Sequence, residues 1–134
     1  MPRRRAEPPW LTRLVIDAIH ADQIREHGGL AGVRDENALE STLARPRHKR
    51  LHDETTDLAT LAAAYAFGLI QNHPYRDGNK RVGLVAMVTF LGLNGEELVA
   101  TEPEILTIIL QIAASRVTEA DLAEWIRHHI VPAK

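Results

Sequence analysis

The chain has 134 residues, 45% hydrophobic and 25% charged, the size and composition of one soluble globular domain able to bury a core without disulfides or metals. It contains no cysteine, which excludes a disulfide framework and a thiolate metal site, and 16 Lys/Arg against 18 Asp/Glu leave a net charge of −2, too little for a general attraction to nucleic acid or membranes. Its apolar runs break before the roughly 18 residues of a membrane span, and MPRRRAEPPW lacks the apolar region of a secretory signal; the expectation is a cytoplasmic protein with no direct nucleic-acid or membrane contact.

Residues 1–10 read as a flexible basic arm, in which Pro8-Pro9 blocks helix until Trp10 or beyond, and residues 11–131 as one domain. From Thr12 to His27, Leu14, Val15, Ala18, Ile19 and Ile24 recur at three- and four-residue intervals, predicting a helix with those side chains on one apolar face and a stop at Gly28-Gly29. Asp35 predicts the N-cap of a short helix with Ala38, Leu39, Thr42 and Leu43 inward, ended by Pro46. ARPRHKRLHDETT then reads as a surface loop or irregular hairpin. Asp57 caps a helix to about Gln71, with Leu58, Leu61, Ala62, Tyr65 and Leu69 on one face. Residues Asn79 to Leu93 are apolar nearly all round, the pattern of a centrally buried helix, with a stop at Asn94-Gly95. Thr101-Glu102-Pro103-Glu104 and Thr118-Glu119-Ala120-Asp121 are capping boxes that open helices to about Ser115 and His129. No stretch alternates convincingly as a strand. The expected fold is all-α, a single compact bundle of about six helices around the buried 79–93 helix.

Between its two most hydrophobic segments the chain places QNHPYRDGNKRVGL. Asp77-Gly78-Asn79 is turn chemistry, and a helix opens at Asn79. The first N–H groups of that helix lack internal partners and its dipole is positive there, which makes an anion site. Lys80 and Arg81 add full positive charge at the same place. Asp77 is a hard oxygen ligand suited to a phosphate-bound Mg²⁺. The His73 imidazole can take a proton from an incoming hydroxyl. Asn79 can hold a phosphate oxygen or orient its neighbours. Each feature alone is ordinary surface or turn chemistry; their co-occurrence at the mouth of a buried helix points to phosphoryl or nucleotidyl transfer. His20 and His27, seven residues apart, read as packing or surface residues, because no carboxylate pattern completes a metal site. His128 and His129 are adjacent and point apart.

HPYRDGNKR resembles the signature of the Fic/Doc family, H-x-F-x-[D/E]-x-N-x-R, with His73, Asp77, Asn79 and Arg81 in place and Tyr75 for phenylalanine. IHADQIREHGGLAGVRDENALESTLARP, LAAAYAFGLIQNHPYRDGNKR and FLGLNGEEL are similar to the Doc, or death-on-curing, branch, so the resemblance spans roughly residues 14 to 130. Typical Fic enzymes carry glycine where this chain has Lys80 and a second arginine where it has Leu84; both positions are Doc-like, whereas Gly78 is Fic-like, the Doc branch having alanine.

The resemblance implies a toxin of a toxin–antitoxin pair, a protein serine/threonine kinase that uses ATP and Mg²⁺ to phosphorylate a Thr or Ser of elongation factor Tu and so blocks translation. It implies His73 as the catalytic base, Asp77 as the metal ligand, and Gly78, Asn79, Lys80 and Arg81 as the nucleotide-phosphate cradle. It also implies a cognate antitoxin as partner, and a target-positioning flap near residues 46 to 55. Two alternatives remain: a Fic-type AMP transferase acting on a protein hydroxyl, and a catalytically silent module that binds a nucleotide or an antitoxin.

Overall fold

The computed structural model describes residues 7–134 and contains six helices: α1 (Arg13–His27), α2 (Glu36–His52), α3 (Leu58–Asn72), α4 (Asn79–Leu93), α5 (Glu102–Ala113) and α6 (Glu119–Arg127). Two three-residue strands, β1 (Glu96–Leu98) and β2 (Ile130–Pro132), pair antiparallel with Glu96 opposite Pro132 and Leu98 opposite Ile130. The protein is all-α apart from this ribbon, which ties the end of α4 to the C-terminus. Among the described residues no helix is long and apolar enough to cross a membrane.

Local chemistry sets most helix starts. The side chains of Thr12, Asp35, Asp57, Thr101 and Thr118 each accept a bond from the amide three residues on, and the last two complete reciprocal capping boxes with Glu104 and Asp121. Helix α4 lies in the interior as its pattern predicts, burying Val82, Gly83, Ala86, Met87, Phe90 and Leu91. It shares the centre with α3, which is buried along nearly its whole length from Ala59 to Ile70 and touches α2, α4, α5 and α6. The two helices approach so closely that a methyl group on Gly83 would sit 2.8 Å from Ile70 Cγ1, a contact only glycine avoids.

Three expectations are corrected. First, α2 runs through Pro46 to His52, so residues 46 to 52 are helical and the loop begins only at Asp53. Pro46 costs the helix one backbone bond, but it is buried, and the turns on either side of it are held by distant partners: Arg45 and Lys49 both meet Glu119 at 3.0 and 3.1 Å, and the Arg47 guanidinium lies 5.9 Å over the Trp10 ring. Second, the inner face of α1 is rotated from the apolar one. Leu14, Val15 and Ala18 face solvent, and Ile16 and His20 are buried. Polar residues on the inner face, Asp17 and His20, have partners in the protein and so disguise it as an outer face. Third, the β1–β2 ribbon is too short to leave a periodicity. The arginines of the proposed N-terminal arm fall outside the described residues, but Trp10 is docked: its ring stacks 6.1 Å from that of Phe90, and Leu11 N–H donates to the Tyr65 hydroxyl at 3.1 Å.

Candidate active site

Helix α3 stops at Asn72 because His73 turns into the left-handed region, at φ 46° and ψ 55°. The chain then runs through Pro74 and Tyr75 to Gly78, whose left-handed backbone (φ 82°) starts α4. Tyr75, 1% exposed, anchors this loop. Its ring lies flat on the His20 imidazole, centroids 3.8 Å apart and 7° from parallel, and its hydroxyl donates to Asp17 Oδ1 at 2.7 Å. Burial and then the Asp17 carboxylate push the phenol far above its ordinary pKa, so it stays protonated and keeps donating.

The segment between α1 and α2 braces the other side of the loop. Arg34 N–H donates to Pro74 O at 2.8 Å and Arg76 N–H donates to Gly32 O at 3.1 Å, one antiparallel bridge centred on Val33 and Tyr75. In that pairing the N–H and C=O of Tyr75 point away from Val33. The Asn79 side chain takes both: Oδ1 accepts from Tyr75 N and Nδ2 donates to Tyr75 O, each at 3.0 Å. Leu30 N–H donates to Asp77 Oδ2 at 2.6 Å, and His20 Nε2 lies 3.0 Å from Asp77 O. A carbonyl can only accept, so Nε2 carries the proton. The loop can come this close because residue 29 is glycine: a Cβ there would stand 3.1 Å from Asp77 Cβ, at a backbone φ of 115°.

His73, Asp77, Gly78, Asn79, Lys80 and Arg81 all line one cavity of about 470 Å³, with Arg76 beside them and His27, Gly28 and Gly29 on the facing wall. The geometry gives these side chains different parts. Asn79, expected among the phosphate contacts, is 7% exposed and its amide is spent on Tyr75, which makes it the brace of the loop. The first helical bond of α4 is Val82 N–H to Gly78 O at 2.9 Å, and no side chain caps the helix, so the amides of residues 79 to 81 are free for an anion. Arg81 Nη2 is held 3.3 Å from Gly28 O, while its Nε is buried without a hydrogen-bond partner. A buried guanidinium N–H left unpaired is costly unless a ligand supplies the acceptor. Among the described residues no three His or acidic side chains cluster as a metal cage. Asp77 has Oδ1 left for a cation, which fits an ion that brings most of its oxygens from water and phosphate.

The supports of this site left no local signal in the sequence. His20 read as a packing or surface residue and is a buried one, 5% exposed, bonded to the metal-ligand candidate's own carbonyl. Asp17, Arg34 and the Leu30 amide carried no signal, since each acts on residues far along the chain. His27 reaches the cavity wall from the last turn of α1. The segment expected to form a flap, 46 to 55, has no residue on this cavity; His48, Lys49 and His52 line a separate groove along α2 that ends at Asn72, next to His73.

The chain is 29% identical over 110 residues to "Protein kinase doc" of Escherichia phage P1, covering 82% of this chain and 86% of that protein. It is 38% identical over 81 residues to "Toxin Doc" of Mycolicibacterium smegmatis, covering 54% of this chain and 57% of that one. The model of the "Fic/DOC family" matches residues 10–91, a span that contains α1 to α4 and the whole loop between His73 and Arg81, and the chain therefore belongs to the Fic/DOC family.

Proposed function

We propose that this protein is a Doc-type toxin kinase that transfers the γ-phosphoryl group of ATP to a Thr or Ser hydroxyl of elongation factor Tu. The observation that carries the reading is the buried, unpartnered Arg81 Nε beside the uncapped start of α4, in the same cavity as His73. An anion seated there satisfies the guanidinium and the free amides together. The relatives named Protein kinase doc and Toxin Doc support the kinase class and the pairing with an antitoxin.

In the reaction the neutral His73 imidazole takes the proton of the target hydroxyl as its oxygen attacks the phosphorus. The bond from phosphorus to the bridging oxygen breaks and ADP leaves. Asp77 Oδ1 would hold Mg²⁺, which when bound neutralises charge on the nucleotide phosphates. Lys80, exposed at the mouth of the cavity, supplies a point charge and fills space that glycine would leave open. A methyl group added to Gly78 would meet Arg81 Nη2 and Ile24 Cδ1 at an ordinary 3.5 Å, but the backbone φ of 82° favours glycine there, so Gly78 is accounted for by the turn and the difference between the branches is assigned to Lys80.

The test is incubation with purified elongation factor Tu and ATP labelled at either the α or the γ phosphorus. Label from γ alone on the target is the expected result. Label from α instead means AMP transfer and overturns the assignment of Lys80. No transfer of either label to elongation factor Tu or to any protein of a cell extract leaves a nucleotide- or antitoxin-binding module.

A further inference from the structure

His73 stands in a left-handed conformation that few residues other than glycine adopt. Only His73 and Ser115 among the described non-glycine residues have positive φ, and His73 has both φ and ψ in the left-handed helical region. That turn sets where the imidazole leaves the chain, and it survives only if the surroundings enforce it.

One residue supplies most of that constraint. Arg34 donates from Nε to His73 O at 2.6 Å and from Nη2 to Asn72 O at 2.8 Å, and its main-chain N–H donates to Pro74 O at 2.8 Å. The carbonyls of three consecutive residues, 72 to 74, thus all accept from Arg34. The rigid guanidinium fork can bridge two of them at once, which a lysine ammonium on a flexible stem cannot do. Its charge sits at the C-terminal end of α3, where carbonyls lack intrahelical partners and the dipole is negative. Arg34 does not line the cavity, so it touches neither nucleotide nor target there.

We propose that Arg34 is the positioning residue of this site: it locks His73 into the left-handed turn and so aims the imidazole at the reacting hydroxyl. The functional part rests on the reading of His73 as the base. Removing the fork lets residue 73 relax toward negative φ, which displaces the imidazole. A misplacement of about 1 Å costs on the order of 10²-fold in rate.

The experiment uses the full chain labelled with ¹⁵N and ¹³C, as wild type, Arg34→Ala and Arg34→Lys. A positive φ brings the amide hydrogen close to its own Hα, so wild-type His73 gives a strong intraresidue NOE. Arg34→Ala is expected to weaken that NOE, to lower kcat roughly 10²-fold and to leave KM for ATP nearly unchanged. Arg34→Lys should recover only part of both losses. An undiminished NOE in Arg34→Ala overturns the proposal. So does a lost NOE with unchanged kcat in a protein whose kcat collapses on His73→Ala. If His73→Ala leaves transfer intact, it is the reading of the base that fails, and the NOE alone still decides whether Arg34 holds the turn.

Discussion

Replacing Asn79 by alanine separates a brace from a ligand. The Asn79 amide gives Tyr75 its two main-chain partners, both at 3.0 Å, in a residue that is 1% exposed. Alanine leaves that N–H and C=O buried and unpaired, at about 1–3 kcal/mol each, of which partial relaxation leaves a total near 3 kcal/mol. With an unfolding entropy of roughly 2.1 cal/mol/K per residue, 134 residues lose about 10 °C of Tm for 3 kcal/mol. The assay is thermal unfolding followed by circular dichroism, without nucleotide. Asn79→Asp adds a pH dependence. The introduced carboxylate can accept from Tyr75 N–H, but its second oxygen then faces Tyr75 O, and only the protonated form can donate there. Its folded-state pKa is therefore raised above the unfolded value of about 3.9. The stability it contributes is fully present below about pH 4 and is lost as pH rises through the folded value, so its Tm should approach that of the wild type in acid. An Asn79→Ala protein that melts within a degree of the wild type, yet binds ATP more weakly, would refute the brace and restore a direct phosphate contact.

His73→Gly relieves the left-handed turn and should stabilise the fold by about 0.5–1 kcal/mol while abolishing transfer, an opposition that denaturant melts and the labelling assay read together; a glycine variant less stable than the wild type would mean that the turn carries no strain. Burial raises the Asp57 carboxyl, but the bonds from Arg127 and Thr60 outweigh it and hold its pKa at about 2. A lowered folded-state value gives stability that is present above about pH 4 and is lost as pH falls toward 2. Because Asp57 also caps α3, Asp57→Ala should cost about 1–2 kcal/mol at pH 7, most of it the cap since the ion pair is solvent-screened, and the gap to the wild type should shrink in acid. Calorimetry should find Mg²⁺ binding weak alone and strong with ATP, with Asp77→Ala weakening only the ternary complex, since one carboxylate is a poor cage by itself. Tight binding of the metal without nucleotide would contradict that.

What the sequence by itself determined is the chemistry that acts over a few residues. Asp35, Asp57, Thr101 and Thr118 cap the helices they begin, because the donors they satisfy lie three positions on. The apolar run from Asn79 to Leu93 is interior, and the cavity residues from His73 to Arg81 were legible because one short stretch of chain, the loop and the first turn of α4, carries them all. The roles of those residues in transfer rest on the proposal above; their meeting in one cavity is a property of the fold. Tertiary structure decided whatever depends on partners far along the chain. Helix α2 runs through Pro46 with Glu119 and Trp10 holding the turns on either side of it. The inner face of α1 is chosen by Tyr75 and Asp77: Tyr75 bonds the partly exposed Asp17, and the Asp77 carbonyl gives His20 the bond that makes its burial tolerable. Asn79 read as a residue that could hold a phosphate oxygen or orient its neighbours, and only the fold shows that Tyr75 takes both ends of its amide. Local patterns report what a residue could bond to, and the competition among distant partners for each donor and acceptor is settled only when the chain closes on itself.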